Sequence, residues 1–143
     1  MLRLTMEQFQ EMQEMKGQRR KYGNHEHKII FKGQEVTFDS KKEARRAKEL
    51  ELLEKAGEIS DLQIQKVFEL QPRFKHAGKV YRPITYIADF YYYDETPDCR
   101  HCQDPITRWV VEDVKSEATR KDKVYQMKKK MMLYVQHREI KEI

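Results

Sequence analysis

The chain has 143 residues, enough for one domain that buries roughly two-thirds of its unfolded surface and too few for a second of ordinary size. Charged residues make up 37% of it, but the aromatic 10% gathers in runs such as Tyr91-Tyr92-Tyr93, which excludes a disordered chain and points to a folded domain with charged margins. The formal charge of +5 is locally concentrated, no apolar stretch approaches the roughly 20 residues of a membrane span, and Met1 to Met15 lacks the apolar core of a signal peptide, so a cytoplasmic protein with no membrane partner is expected.

Met6, Phe9, Met12 and Met15 recur at helical spacing, predicting an amphipathic helix within an N-terminal arm, residues 1–20. A basic, His-containing linker follows, and residues 21–143 form the main domain. His27 to Phe31 and Gln34 to Phe38 flank Lys32-Gly33, the pattern of a hairpin with a tight turn. Ser40 to Gly57 is the clearest helix, with Ser40 as N-cap, Gly57 at the left-handed C′ position, and a stripe of Ala44, Ala47, Leu50, Leu53 and Ala56. Ile64 to Leu70 reads as a strand ended by Pro72. Tyr81 to Tyr93 reads as a long aromatic strand, regular after Pro83, and Arg108 to Lys115 as a Val-rich strand pairing antiparallel with it. The loop inserted between them, residues 94–107, carries Cys99 and Cys102. Ala118 to His137 is expected to be one basic helix, with Val124, Met127, Met131, Leu133 and Val135 as its apolar contacts, and Ile140 to Ile143 a short edge strand. The order predicts an α/β fold, a mixed central sheet flanked by helices.

Two acids are poorly explained by such a fold. Asp89 sits in Ile87-Ala88-Asp89-Phe90-Tyr91, among apolar and aromatic residues, where Asp is disfavoured and rarely buried unless paired or bound to metal. In Trp109 to Lys115 the two-residue period puts Val111, Asp113 and Lys115 on one face and Glu112 on the other. If the two strands pair as a hairpin, Asp89 and Asp113 converge into an oxygen-rich site suited to Mg²⁺ or Mn²⁺. Such an ion polarises a phosphodiester and acidifies a bound water, and Lys115 would hold that water or offset charge in the transition state. Zinc is disfavoured there, because neither His nor Cys accompanies the carboxylates.

An acid on the first core helix, an Asp on a strand and an acid-x-Lys on the next strand is the pattern of PD-(D/E)XK nucleases, here Glu43, Asp89 and Asp113-Val114-Lys115. The segment KYGNHEHKIIFKGQEVTFDSKKEARRAKELELLEKAGEISDLQIQ, with YRPITYIADFYYYD, VVEDVKSEAT and YQMKKK, resembles a phage and prophage nuclease family related to Holliday-junction resolvases, over roughly Lys21 to Lys130. The resemblance implies a restriction-endonuclease-like core and a homodimeric, Mg²⁺- or Mn²⁺-dependent endonuclease acting on DNA, branched DNA included, in a phage-infected or lysogenic bacterium. It implies that Glu43, Asp89 and Asp113 bind the metal, that Lys115 completes the site with Gln65 as an accessory residue, and that Tyr125, Lys128 and Lys129 contact nucleic-acid phosphates. Ala88 stands where the motif has its Pro, a position variable in such nucleases and chemically dispensable.

Each of these residues also has a plainer reading. Ser40-Lys41-Lys42-Glu43 is a capping box, which alone accounts for a Glu here, although Glu43 shares a helix face with Ala47 and Leu50. Asp113 and Lys115 make an ordinary strand ion pair, Gln65 a strand-surface residue, and Tyr125 a packing residue. Arg19, Arg20 and Lys21, with the six basic residues between Arg120 and Lys130, attract phosphate backbones or are merely solvated. Cys99 and Cys102 are half of a zinc knuckle without a second Cys pair, so a metal-free loop or redox-sensitive pair is favoured over zinc. A non-catalytic DNA-binding module and a zinc-stabilised interaction protein are the rival functions.

Overall fold

The computed structural model describes residues 26–96 and 108–143. The N-terminal arm, with Arg19, Arg20 and Lys21, and the Cys99 and Cys102 loop lie outside the described residues.

The domain opens with a hairpin, β1 (His27–Phe31) and β2 (Gln34–Phe38). Its turn, Lys32-Gly33, has φ of 49° and 79°, the doubly left-handed conformation that matches strand twist in a two-residue hairpin. Helix α1 (Lys41–Lys55) follows. The Ser40 side chain accepts the Glu43 N–H, and Ala56 ends the helix before Gly57 at φ 78°. Ala44, Ala47, Leu50 and Glu51 are its buried residues, a stripe at helical spacing; Leu53 is half-buried and Ala56 is exposed.

Gly57 meets no atom that a Cβ would touch, so its role is conformational. Gly57→Ala is expected to lower stability by about 1–2 kcal/mol, the cost of a left-handed L-residue, measurable as a reduced urea midpoint with unchanged slope.

The central sheet has the order β3-β6-β7-β8, from β3 (Ile59–Gln71), β6 (Ile84–Asp94), β7 (Trp109–Asp113) and β8 (Ile140–Glu142). The first three run antiparallel, and β8 lies parallel to β7, giving the mixed sheet expected. β3 is longer than its predicted span because the chain drops from Gly57 straight into it, absorbing an irregularity between Ser60 and Gln63 where Asp61 has φ 51°.

Helices cover both faces. On one, α1 and the β1–β2 hairpin enclose Phe31, Phe38, Leu50, Leu62, Phe90, Tyr92 and Val114. On the other, Phe68, Leu70, Tyr86, Ala88, Tyr91, Val111 and Ile140 pack against Tyr125 and Met132 of the last helix.

That last helix differs from expectation. It is split into a single turn, α2 (Glu117–Arg120), and α3 (Lys123–Gln136), because Ser116 and Asp122 each cap a new start by accepting the N–H three residues on. Its apolar residues are also placed differently: Tyr125 and Met132 are buried and Met131 packs at the margin, whereas Val124, Met127, Leu133 and Val135 are exposed. The helix presents a 3.6-residue stripe, and the core takes the one through Tyr125 and Met132.

The alternation of faces slips at one rung of the sheet. In β6, Tyr86 and Ala88 point to the α3 side, but Phe90 and Tyr92 point to the α1 side. In β3, Phe68 and Leu70 point to the α3 side, but Leu62 and Ile64 to the α1 side. A regular strand cannot do this, since residues of equal parity share a face. The register runs Ile64↔Phe90 and Lys66↔Ala88 and skips the rung between them, Gln65 and Asp89. Gln65 has φ 51°, a left-handed conformation costing about 1–3 kcal/mol outside glycine. The slip therefore centres on Asp89 and its partner across the strands.

Candidate active site

Asp113 ends β7 and is fully buried, at 0% exposure. Continuing the β6–β7 register one rung beyond Phe90↔Glu112 brings Asp89 opposite Asp113, as the hairpin reading predicted. One residue beyond this rung, the Val114 N–H donates to Asp89 Oδ2 at 2.8 Å. Lys115 Nζ lies 2.7 Å from Asp113 Oδ1 and 4.0 Å from Asp89 Oδ2. The Lys115 ammonium is the partner of the buried Asp113 Oδ1, an ion pair within hydrogen-bonding distance. Asp113 Oδ2 accepts the hydroxyl of buried Tyr86.

Burial, then the adjacent Asp113 carboxylate, pushes the Asp89 carboxyl up to about 8, against the pull of Lys115. Burial acts to lower the Lys115 pKa, but the carboxylates of Asp89 and Asp113, joined by Glu43, outweigh it and hold the ammonium above its ordinary value. Burial and the Asp113 carboxylate likewise raise the Tyr86 hydroxyl well above its ordinary value, so it remains a proton donor.

Glu43, half-buried on the first turn of α1, acts on this cluster through its field, raising both Asp89 and Lys115. Its Oε1 also accepts the Ser40 hydroxyl at 3.2 Å, while its N–H bonds to Ser40 Oγ. The capping and electrostatic roles thus coexist. Among the described residues no three carboxylate, imidazole or thiol groups are close enough together to hold an ion as they stand. Asp89 and Asp113 supply the tight pair, and Glu43 stands outside it.

Gln65 lies across the strands from Asp89 at the slipped rung and is half-buried. Tyr125 is not presented to an external phosphate. It is buried in the core, its hydroxyl bonds Glu142 Oε1 at 3.1 Å, and its ring lies 5.8 Å from Lys115 Nζ, forming a wall of the site. Lys129 is held by Glu142 at 2.7 Å, and Lys128 is half-buried and makes no ion pair among the described residues. These two do not touch the carboxylate cluster.

Two features escaped sequence reasoning. Tyr86 reads as one more core aromatic, and only its hydroxyl reveals the role. Glu112, at 0% exposure, is gripped from α1 by Arg46, with Nε to Oε2 at 2.9 Å and Nη2 to Oε1 at 2.7 Å, and by the Tyr92 hydroxyl at 2.6 Å. Burial pushes the Glu112 carboxyl up, but Arg46 and Tyr92 outweigh it and hold it below the usual range. The signal available was a charged residue at a buried position of an apolar strand, which requires a partner.

The arrangement as a whole is Asp89 and Asp113 around one ammonium, with the field of Glu43 added from α1. Such an excess of oxygen and negative charge suits a hard divalent cation. Among the described residues no helix is long and apolar enough to cross a membrane. No curated protein and no solved structure matches the chain. A family model described as protein of unknown function (DUF1064) matches residues 19–143, most of the length, and the chain belongs to that family.

Proposed function

We propose that this protein is a metal-dependent endonuclease of the PD-(D/E)XK type that hydrolyses DNA phosphodiester bonds. One observation carries the reading: Asp89, Asp113 and Lys115 converge at a slipped rung of the sheet, where two carboxyl groups share one ammonium. A structural ion pair needs only one carboxylate beside the ammonium. A mixed sheet with the Glu43 helix on one face and a basic helix on the other supports the restriction-endonuclease-like core.

The donor set fits Mg²⁺ or Mn²⁺: Asp89 and Asp113 would hold the ion, with Glu43 adding charge from α1. Bound there, the ion would supply Lewis acidity to the phosphodiester and a more acidic water. Lys115, enclosed by carboxylates, acts as a cation and hydrogen-bond donor that orients the attacking water and offsets charge gathering on the phosphoryl oxygens. Tyr86 and the Val114 N–H fix the two carboxylates so that the site does not reorganise during reaction. Branched or junction-like DNA is the substrate that the sequence resemblance favours. Two cuts in a symmetric junction take two active sites, which makes a homodimer the working assembly.

The test is cleavage of end-labelled four-way junction, linear duplex and single-stranded DNA, each with Mn²⁺, Mg²⁺ or EDTA. Cutting that needs the divalent ion and prefers one of the three supports the proposal and names its substrate. Binding without cutting on all three would replace it with a non-catalytic DNA-binding module.

A further inference from the structure

Between the two long strands of the central sheet the chain makes an excursion absent from the predicted elements. β4 (Phe74–His76) and β5 (Lys79–Tyr81) form a separate two-stranded ribbon, paired Phe74↔Tyr81, Lys75↔Val80 and His76↔Lys79. The turn at its tip, Ala77-Gly78, has φ of 47° and 79°, the same doubly left-handed turn as in β1–β2. All six strand residues are exposed. Phe74 is 44% and Val80 45% exposed, yet the ribbon belongs to neither core cluster.

An isolated two-stranded ribbon is marginal in water. This one is stiffened from within: the Phe74 and Tyr81 rings stack with centroids 4.7 Å apart and planes 3° from parallel, and Lys79 Nζ lies 5.2 Å from the Tyr81 ring centroid. Pro72 and Pro83 bracket it at the base. Its charge is of one sign: Arg73, Lys75, Lys79 and Arg82, with His76, and no Asp or Glu from Gln71 to Ile84. Among the described residues none of these four cations is in an ion pair with a carboxylate. The ribbon is exposed, stiffened and wholly basic, and its charge suits a polyanion.

We propose that the β4–β5 ribbon binds the groove of a duplex DNA arm flanking the scissile phosphodiester. The inference rests on the endonuclease reading for the position of the cut, and on the ribbon itself for the binding. A two-stranded ribbon fits the major groove of B-form DNA, about 12 Å wide, and its register puts Lys79 on one face and Lys75 on the other, so a ribbon set with its faces towards the two phosphate walls offers a cation to each. The deep, narrow major groove of A-form RNA does not admit it, so the shape favours DNA. The ribbon springs from β3 and β6, the strands that carry Gln65 and Asp89. The chain from Gly78 at the tip to Asp89 spans at most roughly 40 Å, so the contact falls within about one helical turn of the carboxylates, a turn being roughly 34–36 Å.

The experiment measures binding in EDTA, so that no cleavage intervenes, of wild type and the double variant Lys75→Ala/Lys79→Ala. The probes are duplex DNA, duplex RNA of equal length and phosphatidylserine vesicles, across a salt titration. Expected for the double variant is a loss of about tenfold in duplex DNA affinity, with the slope of log affinity against log salt reduced by about two. Duplex RNA and vesicle binding should change less than about twofold, and Lys75→Arg/Lys79→Arg should restore DNA affinity. Both residues are exposed, so an unchanged melting temperature certifies the fold. Unchanged DNA affinity and salt slope would overturn the proposal, as would an equal loss on duplex RNA or a loss confined to vesicles. Cleavage is scored separately. A wild type that binds through the ribbon but never cuts would sink the endonuclease reading alone, whereas one that cuts normally with both lysines removed and DNA affinity unchanged would sink the ribbon alone.

Discussion

Lys115→Ala protein is expected to bind DNA and divalent metal and yet cut at least about 10²–10³-fold more slowly than wild type, the usual loss when a preorganised electrostatic partner is removed from a reacting centre. Lys115 Nζ lies 2.7 Å from one carboxylate and 4.0 Å from the other, so among the described residues it is the cation placed to meet charge developing beside them. Asp113→Asn should fail differently. The amide preserves shape and leaves an oxygen for the Tyr86 hydroxyl, but it removes the charge that makes Oδ1 a ligand. Its cleavage should vanish together with metal binding.

The two failures are separable without any activity assay. A ligand that binds only the folded state stabilises it by about 2.7 kcal/mol at a hundred times its dissociation constant. Wild type should therefore melt at a higher temperature in Mn²⁺ than in EDTA. Lys115→Ala should keep that rise, and Asp113→Asn should lose it. A wild type whose melting temperature ignores Mn²⁺ and Mg²⁺ would remove the metal from the mechanism. Equal loss of the rise in both variants would mean that Lys115 organises the carboxylates and has no separate part in the chemistry.

Much of this site was legible because strand periodicity is simple. Asp113 and Lys115 share a parity, and an Asp amid aromatics has few structural excuses, so the convergence of Asp89, Asp113 and Lys115 followed from spacing and hairpin pairing. The capped helix was legible from Ser40 and Gly57 for the same local reason. What escaped notice depends on long-range contacts or on backbone states without a sequence signature. The face slip at Gln65 is one such case, since glutamine carries no mark of a positive φ. Tyr86 was hidden by its type, because a phenol in an aromatic strand packs whether or not its hydroxyl matters. The β4–β5 ribbon was hidden by its ends. Pro72 and Pro83 read as strand terminators, and an Ala-Gly turn is a weaker hairpin signal than Asn-Gly. On α3 the sequence pointed to Val124, Met127, Met131, Leu133 and Val135, but burial takes the stripe through Tyr125 and Met132, because a Lys- and Met-rich helix marks its core face weakly.

The second large effect concerns the fold that supports the site. Arg46→Ala is expected to destabilise the protein by about 3–5 kcal/mol, because it strands the fully buried Glu112 carboxylate without its bidentate partner. At this chain length that corresponds to a fall in melting temperature of roughly 10 °C. Lys141, 3.4 Å from Glu112 but largely exposed, offers only partial compensation. The loss should belong to the orphaned charge and not to the missing pair: Arg46→Met/Glu112→Leu/Tyr92→Phe, which removes the buried polar trio and leaves only the exposed Glu49 and Lys141, should recover most of the stability, as buried ion pairs replaced by apolar groups commonly do. That triple variant also asks why the pair exists. Glu112 adjoins Asp113, and Arg46 lies one turn beyond Glu43 on α1, so the pair sets the helix that carries one acid against the strand that carries another. A triple variant that melts normally but cuts slowly assigns the pair to positioning Glu43 over the carboxylates. One that melts and cuts normally leaves it with the scaffold alone, and Glu43 is then held in place by Ser40.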